Sequence, residues 1–382
     1  MKKVGIITIC DYNNFGNRLQ NFAVQEVIKS LGYQVETIVN EHPSKYINDT
    51  NKVKSMVNRI KEMSIEEITK KLLSRLIQKS IYRDQIIYYE KRTDAFKKFT
   101  HENITVSSIE ISNSNIPTGF SNNYDFFVVG SDQIWNPNYR YGSPIDFLRF
   151  APKSKRIAYA PSFGTSKIPN EYIQNYKLWL SEMKNLSVRE DAGSKIIKEL
   201  TGKEALILID PTLMLSKEKW LTVSKTAINK PKVSYILTYF LGEISHKTKA
   251  RINRISSENN LEIVNLVCIK DKQHYLTDPS EFIDYINSSE IFLTDSFHGV
   301  VFSILLKKPF IVFNKSEQSH STNSRIETLV SKFNLHQRMS ENINEDENIF
   351  NIDYTHVDEI LEIERKKTIK YLENALNIND NI

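Results

Sequence analysis

EIFLTDSFHGVVFSILLKKPFIVFN, residues 290–314, passes from strand to helix and back to strand. Residues 291–294 form a short apolar run, as expected of a parallel strand buried on both faces. Asp295 and Ser296 are good helix N-caps, and Val300 to Leu306 is apolar at helical spacing. Lys307, Lys308 and Pro309 close the helix, and Phe310 opens the next buried strand. In a parallel α/β sheet, ligands sit beyond the carboxyl ends of the strands, where helix N-termini suit anions. His298 falls at that corner. A hydrogen-bonded structural histidine is the plain alternative.

Working outward, 382 residues are enough for two domains, and 40% hydrophobic with 25% charged residues describes an ordinary globular chain. Two cysteines, Cys10 and Cys268, exclude a disulfide framework and a cysteine-rich metal site and point to a reducing compartment. The opening MKKVGIITIC reads as a first strand rather than a signal peptide, since a polar loop follows at once. A net charge of +5 permits an anionic substrate but does not argue for nucleic acid.

The first strand leads into a polar loop, with Asn17 read as the cap of a helix running to Leu31, and a second strand at 34–39. No GxGxxG occurs there, so a dinucleotide fingerprint is absent. Asn13, Asn14, Asn17 and Gln20 lie where they could grip sugar hydroxyls; loop capping is the other reading. Residues 52–98 read as helical and amphipathic. Nine Lys/Arg against three Glu between 52 and 83 suit either a solvated face or an anionic membrane surface. A buried strand at 124–129 ends in Gly130-Ser131-Asp132-Gln133-Ile134-Trp135. There Asp132 is a candidate acid or base and Trp135 a candidate platform for a sugar ring, against a capped turn with a half-buried tryptophan. Strand–helix alternation restarts at Leu186, which predicts a second doubly wound domain split from the first near 165–185. No HExxH, paired cysteines or clustered His/Asp spacing suggests a metal.

Six segments together are similar to the polysaccharide pyruvyl transferase family: NFGNRLQNFAVQ at 14–25, FFVVGSDQIWNP at 126–137, RIAYAPSFG at 156–164, LSVREDAG at 186–193, LIDPT at 208–212 and FLTDSFHGVVFSILLKKPF at 292–310. The resemblance implies two Rossmann-like domains facing a cleft, as in GT-B glycosyltransferases. It divides the chain into an acceptor-side domain at 1–170 carrying a basic helical insertion near 51–100, a donor-side domain at 171–345, and a C-terminal helix within 346–382 packing back on the first domain. It also implies transfer of the pyruvyl group of phosphoenolpyruvate onto a sugar as a ketal, in a bacterial exopolysaccharide, capsule or cell-wall glycan.

The histidine and arginine that hold the anionic donor in that family match His298 and Arg189. Some members carry an arginine two residues before the histidine. Ser296 stands there instead, and Arg325 is the expected substitute cation. Ser296 and Gly299 complete the expected donor site. Asn14, Asn17, Gln20, Gln133 and Trp135 are expected on the acceptor side, with His298 and Asp132 catalytic. Asp295 and Asp210 read as turn caps, and nothing activates Cys10 toward a covalent adduct. The expected partners are phosphoenolpyruvate and a sugar or lipid-linked oligosaccharide, with no further cofactor and no nucleic acid. The expected location is the cytoplasm, with peripheral contact at the inner membrane face. A nucleotide-sugar-dependent GT-B glycosyltransferase and a non-catalytic glycan-binding protein are the rival functions.

Overall fold

The computed structural model describes residues 1–40, 85–314, 320–343 and 348–377. The basic stretch at 52–83, with its membrane reading, lies outside the described residues. Five parallel strands build the first sheet: β1 (Lys3–Ile7), β2 (Gln34–Asn40), β3 (Val106–Ile111), β4 (Phe126–Val129) and β5 (Arg156–Ala158), in the order β3-β2-β1-β4-β5. A short pair, β6 (Ser187–Val188) and β7 (Leu206–Ile207), stands beside β5. The second sheet holds β8 (Tyr235–Tyr239), β9 (Glu262–Asn265), β10 (Ile291–Thr294) and β11 (Phe310–Val312), in the order β11-β10-β8-β9 and all parallel.

The longer helices follow from apolar periodicity, several of them with well-made side-chain caps. They are α1 (Phe15–Ser30), α2 (residues 85–103), α3 (Asn170–Ser181), α4 (Asp191–Thr201), α5 (Lys217–Val223), α6 (His246–Asn259), α7 (Pro279–Ser288), α8 (Phe297–Leu306), α9 (His320–Lys332) and α10 (Val357–Ala375). α7 begins with a full capping box between Asp278 and Glu281 behind Pro279. α1 is capped by Asn14, whose side chain accepts from the Asn17 N–H, rather than by Asn17 as expected. That shift leaves the Asn17 carboxamide free to point elsewhere.

Both sheets are doubly wound, and each reverses its strand order once. The reversal falls between β1 and β4 in the first sheet and between β8 and β10 in the second. Such switch points open crevices at the carboxyl ends of the strands. The change of sheet comes later than expected. Leu186 does not begin the second sheet, because the Ala158 N–H donates to Asn185 O (3.0 Å) and Ser187 Oγ donates to Ala158 O (2.6 Å). Those bonds lay β6 and β7 against the edge of the first sheet, and the second starts only at β8. β3 carries no clear alternation in sequence, because VSSIEI mixes exposed and buried positions on an edge strand.

α10 begins among the apolar residues of the second sheet, through Val357 and Leu361. It ends on the first, where Tyr371, Leu372, Ala375 and Leu376 pack with Val4, Val24, Ile28 and Tyr33. The Tyr371 hydroxyl donates to Ala158 O (2.7 Å), and the Tyr33 hydroxyl donates to Leu376 O (2.9 Å). Among the described residues no helix is long and apolar enough to cross a membrane. Leu372→Ala should cost about 2–5 kcal/mol of stability and lower the thermal midpoint measurably. An unchanged midpoint would mean that this contact does not hold the sheets together.

Candidate active site

The β1–α1 loop and the turn after β4 meet at Asn17. Its Oδ1 accepts from the Asp11 N–H (2.9 Å) and from Arg18 Nη2 (2.6 Å), while Nδ2 donates to Asp132 Oδ2 (3.0 Å). Asp132 sits at φ +75°, a left-handed conformation unusual for a side-chain-bearing residue and often found where function demands it. Asp11, Asn14, Asn17, Asp132, Gln133 and Tyr139, with Leu241 from the second sheet, line a cavity of about 270 Å³. Thus the first sheet's switch point opens toward the turn that follows β8.

Behind this cavity lies a buried group of charges. Asp210, in the turn that follows β7, is 1% exposed. Its Oδ1 accepts from the Thr212 N–H (3.0 Å) and hydroxyl (2.6 Å). Its Oδ2 accepts from Ser131 Oγ (2.8 Å) and Arg189 Nη1 (2.6 Å). Asp210 therefore does cap a turn, as expected, and also holds an ion pair. His298, at the N-terminus of α8, brings Nε2 to 3.5 Å from Asp210 Oδ2, within ion-pair range but without hydrogen-bond alignment. Arg189 Nη2 is 3.8 Å from Asp132 Oδ1. The Arg189 guanidinium lies 4.2 Å from the centre of the Phe297 ring, and that of Arg325 lies 5.9 Å from the same ring. Glu190 accepts from Ser162 Oγ and the Phe163 N–H through one oxygen.

Burial would raise the Asp210 carboxyl, but His298 and Arg189 hold it well below its usual range. Asp132 is likewise pushed up by burial and brought below its ordinary value by Arg189, His298 and the Asn17 amide. Glu190 goes the other way, because burial outweighs Arg189 and Arg325. The Arg325 guanidinium is lowered to about 10 by burial and then by neighbouring Arg189. Four polar nitrogens in this group are buried without a hydrogen-bond partner among the described residues: Nε and Nη2 of Arg189, Nε of Arg325 and Nε2 of His298. Buried donors without partners are rare and call for an explanation.

The imidazole is seated by Gly16. A Cβ at that position would lie 2.0 Å from His298 Nδ1, so only glycine lets α1 approach α8 this closely.

Several expected site residues are placed otherwise. Trp135 is fully buried, stacked on Phe147 with ring centres 5.1 Å apart, and its N–H donates to Asp146 O. It belongs to the core and offers no sugar platform. Gln20 is also fully buried and donates to Thr8 Oγ1 and Asn17 O, so it braces the loop from behind. Ser296 Oγ accepts the Gly299 N–H in the α8 cap (3.3 Å), which uses that N–H within the helix cap and leaves the Ser296 O–H as a donor. Asn14, Asn17 and Gln133 do face the cavity. Cys10 is half-buried and is not among the residues lining it. Asp295 accepts from the backbone N–H groups of Leu241 and Gly242 in the turn after β8, while Ser296 caps α8. Asp11, Ser131 and Glu190 join the site without being expected there. Their one available signal was position, each lying just past a strand's carboxyl end.

A family model described as polysaccharide pyruvyl transferase matches residues 14–317. No curated protein matches the chain significantly. Among solved structures, the chain is similar to a protein assigned as a UDP-N-acetylglucosamine 2-epimerase from Listeria monocytogenes, at 10% identity and TM-score 0.46, over 96% of this chain and 90% of that one. It is also similar to HepE of Anabaena in complex with UDP, at 10% identity and TM-score 0.42, over 100% and 99% of the two chains. UDP-GlcNAc 2-epimerase from Neisseria meningitidis bound to UDP-GlcNAc follows at 11%, TM-score 0.41 and the same coverages. The fold rests on the strand orders above and not on these likenesses.

The depressed Asp210 carboxyl makes a pH-dependent contribution to stability. It is present in full above the unfolded value of about 3.8 and is lost as pH falls from there through the folded value. Asp210→Asn should therefore melt well below wild type at neutral pH, with the gap closing below about pH 4. A gap independent of pH would show that the carboxylate's charge does not contribute.

Proposed function

This chain belongs to the polysaccharide pyruvyl transferase family and is a transferase, and on that premise we propose that it moves the pyruvyl group of phosphoenolpyruvate onto two hydroxyls of a glycan sugar as a ketal, releasing phosphate. The observation that carries this reading is the group of four buried nitrogens on Arg189, Arg325 and His298 that make no hydrogen bond among the described residues. Phosphoenolpyruvate is compact and strongly anionic, and charge-assisted donors in a water-poor site are what such a molecule requires. Arg189 keeps one arm on Asp210 and has Nε and Nη2 to offer as a fork to a carboxylate or phosphate. Arg325, held against the same aromatic face, supplies the second cation that Ser296 does not. His298 completes the donor side.

The acceptor sugar, free or lipid-linked, enters the cavity lined by Asn14, Asn17 and Gln133. Uncharged amides there suit hydroxyls. Asp132 stands between cavity and cations, and its ionised carboxylate is the base toward the incoming hydroxyl. The reaction belongs in the cytoplasm, where phosphoenolpyruvate is available.

Phosphoenolpyruvate incubated with a panel of methyl hexopyranosides should release phosphate and leave acid-labile pyruvate on the sugar. His298→Ala should lower that turnover about 10²–10³-fold, a loss of roughly 2–4 kcal/mol of transition-state stabilisation, measured per folded molecule. Arg189→Lys should not restore what Arg189→Ala loses, since an ammonium lacks the fork. Release of a nucleoside diphosphate from a nucleotide-sugar instead, or a stable and fully active His298→Ala, would refute the assignment.

A further inference from the structure

Asp11 is a carboxylate for which neither the fold nor the donor site accounts. It lines the same cavity as Asp132. The two are held to one another through Asn17, which takes the Asp11 N–H on one end of its amide and gives a hydrogen bond to Asp132 on the other. Asp11 Oδ1 accepts the Asn13 N–H (2.8 Å), which fixes the side chain, while Oδ2 has no hydrogen-bond partner among the described residues. Two guanidiniums are near, and both are committed elsewhere. Arg18 donates to Ile9 O and Asn17, and Arg92 donates to the carbonyls of Leu266, Tyr275 and Asn13. Among the described residues Asp11 forms no ion pair.

Ketal formation is unusual in its proton traffic. Two hydroxyls each lose a proton, the methylene carbon gains one, and the departing phosphate gains the other. One carboxylate cannot serve both transfers of a step at once, and a pair in one cavity can. Resting on the donor reading above, we infer that Asp11 is a second catalytic carboxylate, working opposite Asp132 on a diol acceptor.

The two stand in unlike surroundings. Asp132 lies beside Arg189, with Arg325 and His298 close by, and is held ionised. Asp11 is raised, by burial first, and Asp132 adds to that while the Asn13 N–H, Arg18 and Arg92 only partly oppose it. Tyr139 and Tyr239 also face it. Tyr139, on the cavity wall, is itself pushed up to about 12 by burial and by both carboxylates. Paired carboxyls whose surroundings drive them apart divide into acid and base.

In the first step the first hydroxyl gives its proton to Asp132 as its oxygen bonds the central carbon of phosphoenolpyruvate. The carbon–carbon π pair takes a proton from the Asp11 carboxyl, and the methylene becomes a methyl. In the second step the carbon–oxygen bond to phosphate breaks. Its electron pair leaves on the phosphate, which takes the proton held by Asp132. The second hydroxyl bonds the same carbon and gives its proton to Asp11. Asp11 ends protonated and Asp132 ionised, as they began, and no further reactant is consumed.

The test uses the full chain with phosphoenolpyruvate and the methyl hexopyranoside panel. Asp11→Asn keeps the oxygen that accepts from Asn13. Its turnover should fall about 10²-fold or more, while phosphoenolpyruvate affinity by calorimetry and the thermal midpoint stay near wild type. Formate should restore part of the turnover of Asp11→Ala, a response that a merely structural role would not give. An active wild type with Asp11→Asn within about threefold of it overturns this inference alone. So does a loss that tracks donor affinity or folding and ignores formate. A wild type that releases no phosphate overturns the donor reading and this inference with it.

Discussion

Two guanidiniums, an imidazole and three carboxylates share a space from which water is largely excluded, and the Asp210 carboxylate sits at its centre. Taking charges out of water is costly unless each is paired and hydrogen-bonded. Asp210 meets that demand by accepting from Thr212, Ser131 and Arg189 and by facing His298. Those residues come from just past β4 and β6, from the turn that follows β7 and from the start of α8. One carboxylate thereby ties the edge of the first sheet to the switch point of the second. Breaking such a pair from one side leaves a buried charge uncompensated, which typically costs several kcal/mol.

The remaining architecture keeps these groups in register. α10 joins the two apolar cores from outside. From the other side Arg92 on α2 stacks on Phe15, Phe96 and Tyr275 while bonding carbonyls of both halves. Gly16 lets α1 and α8 approach until the imidazole rests on the α1 backbone. The charges can then be held close because rigid elements carry them, and the nitrogens that make no hydrogen bond among the described residues are held in place with them.

Much of this was legible beforehand. The 290–314 stretch announced strand, cap and helix through its spacing, and His298 stood where a parallel sheet puts its ligands. Arg189 and Arg325 were found through a resemblance of motifs rather than through chemistry visible in isolation. What misled was burial. Trp135 and Gln20 look like recognition groups in a polar loop, but tertiary packing turned the indole onto Phe147 and the amide onto Thr8. The restart of alternation at Leu186 was real, yet a two-residue strand does not say which sheet it will join. Asp210 read as a cap because LIDPT is good turn chemistry. Its second role depends on residues distant in sequence that only the fold brings near. Asp11 shows the same limit, since its relation to Asp132 passes through Asn17 and is written in neither segment alone.

The most direct test is a crystal structure of the protein grown with phosphoenolpyruvate. The donor's phosphate and carboxylate should lie between the two switch points, against Arg189, Arg325 and His298, with its central carbon turned toward Asp132 and the cavity. Phosphoenolpyruvate bound instead in the basic depression formed by Lys247, Arg251 and Arg254, with the buried nitrogens still facing no ligand, would contradict it.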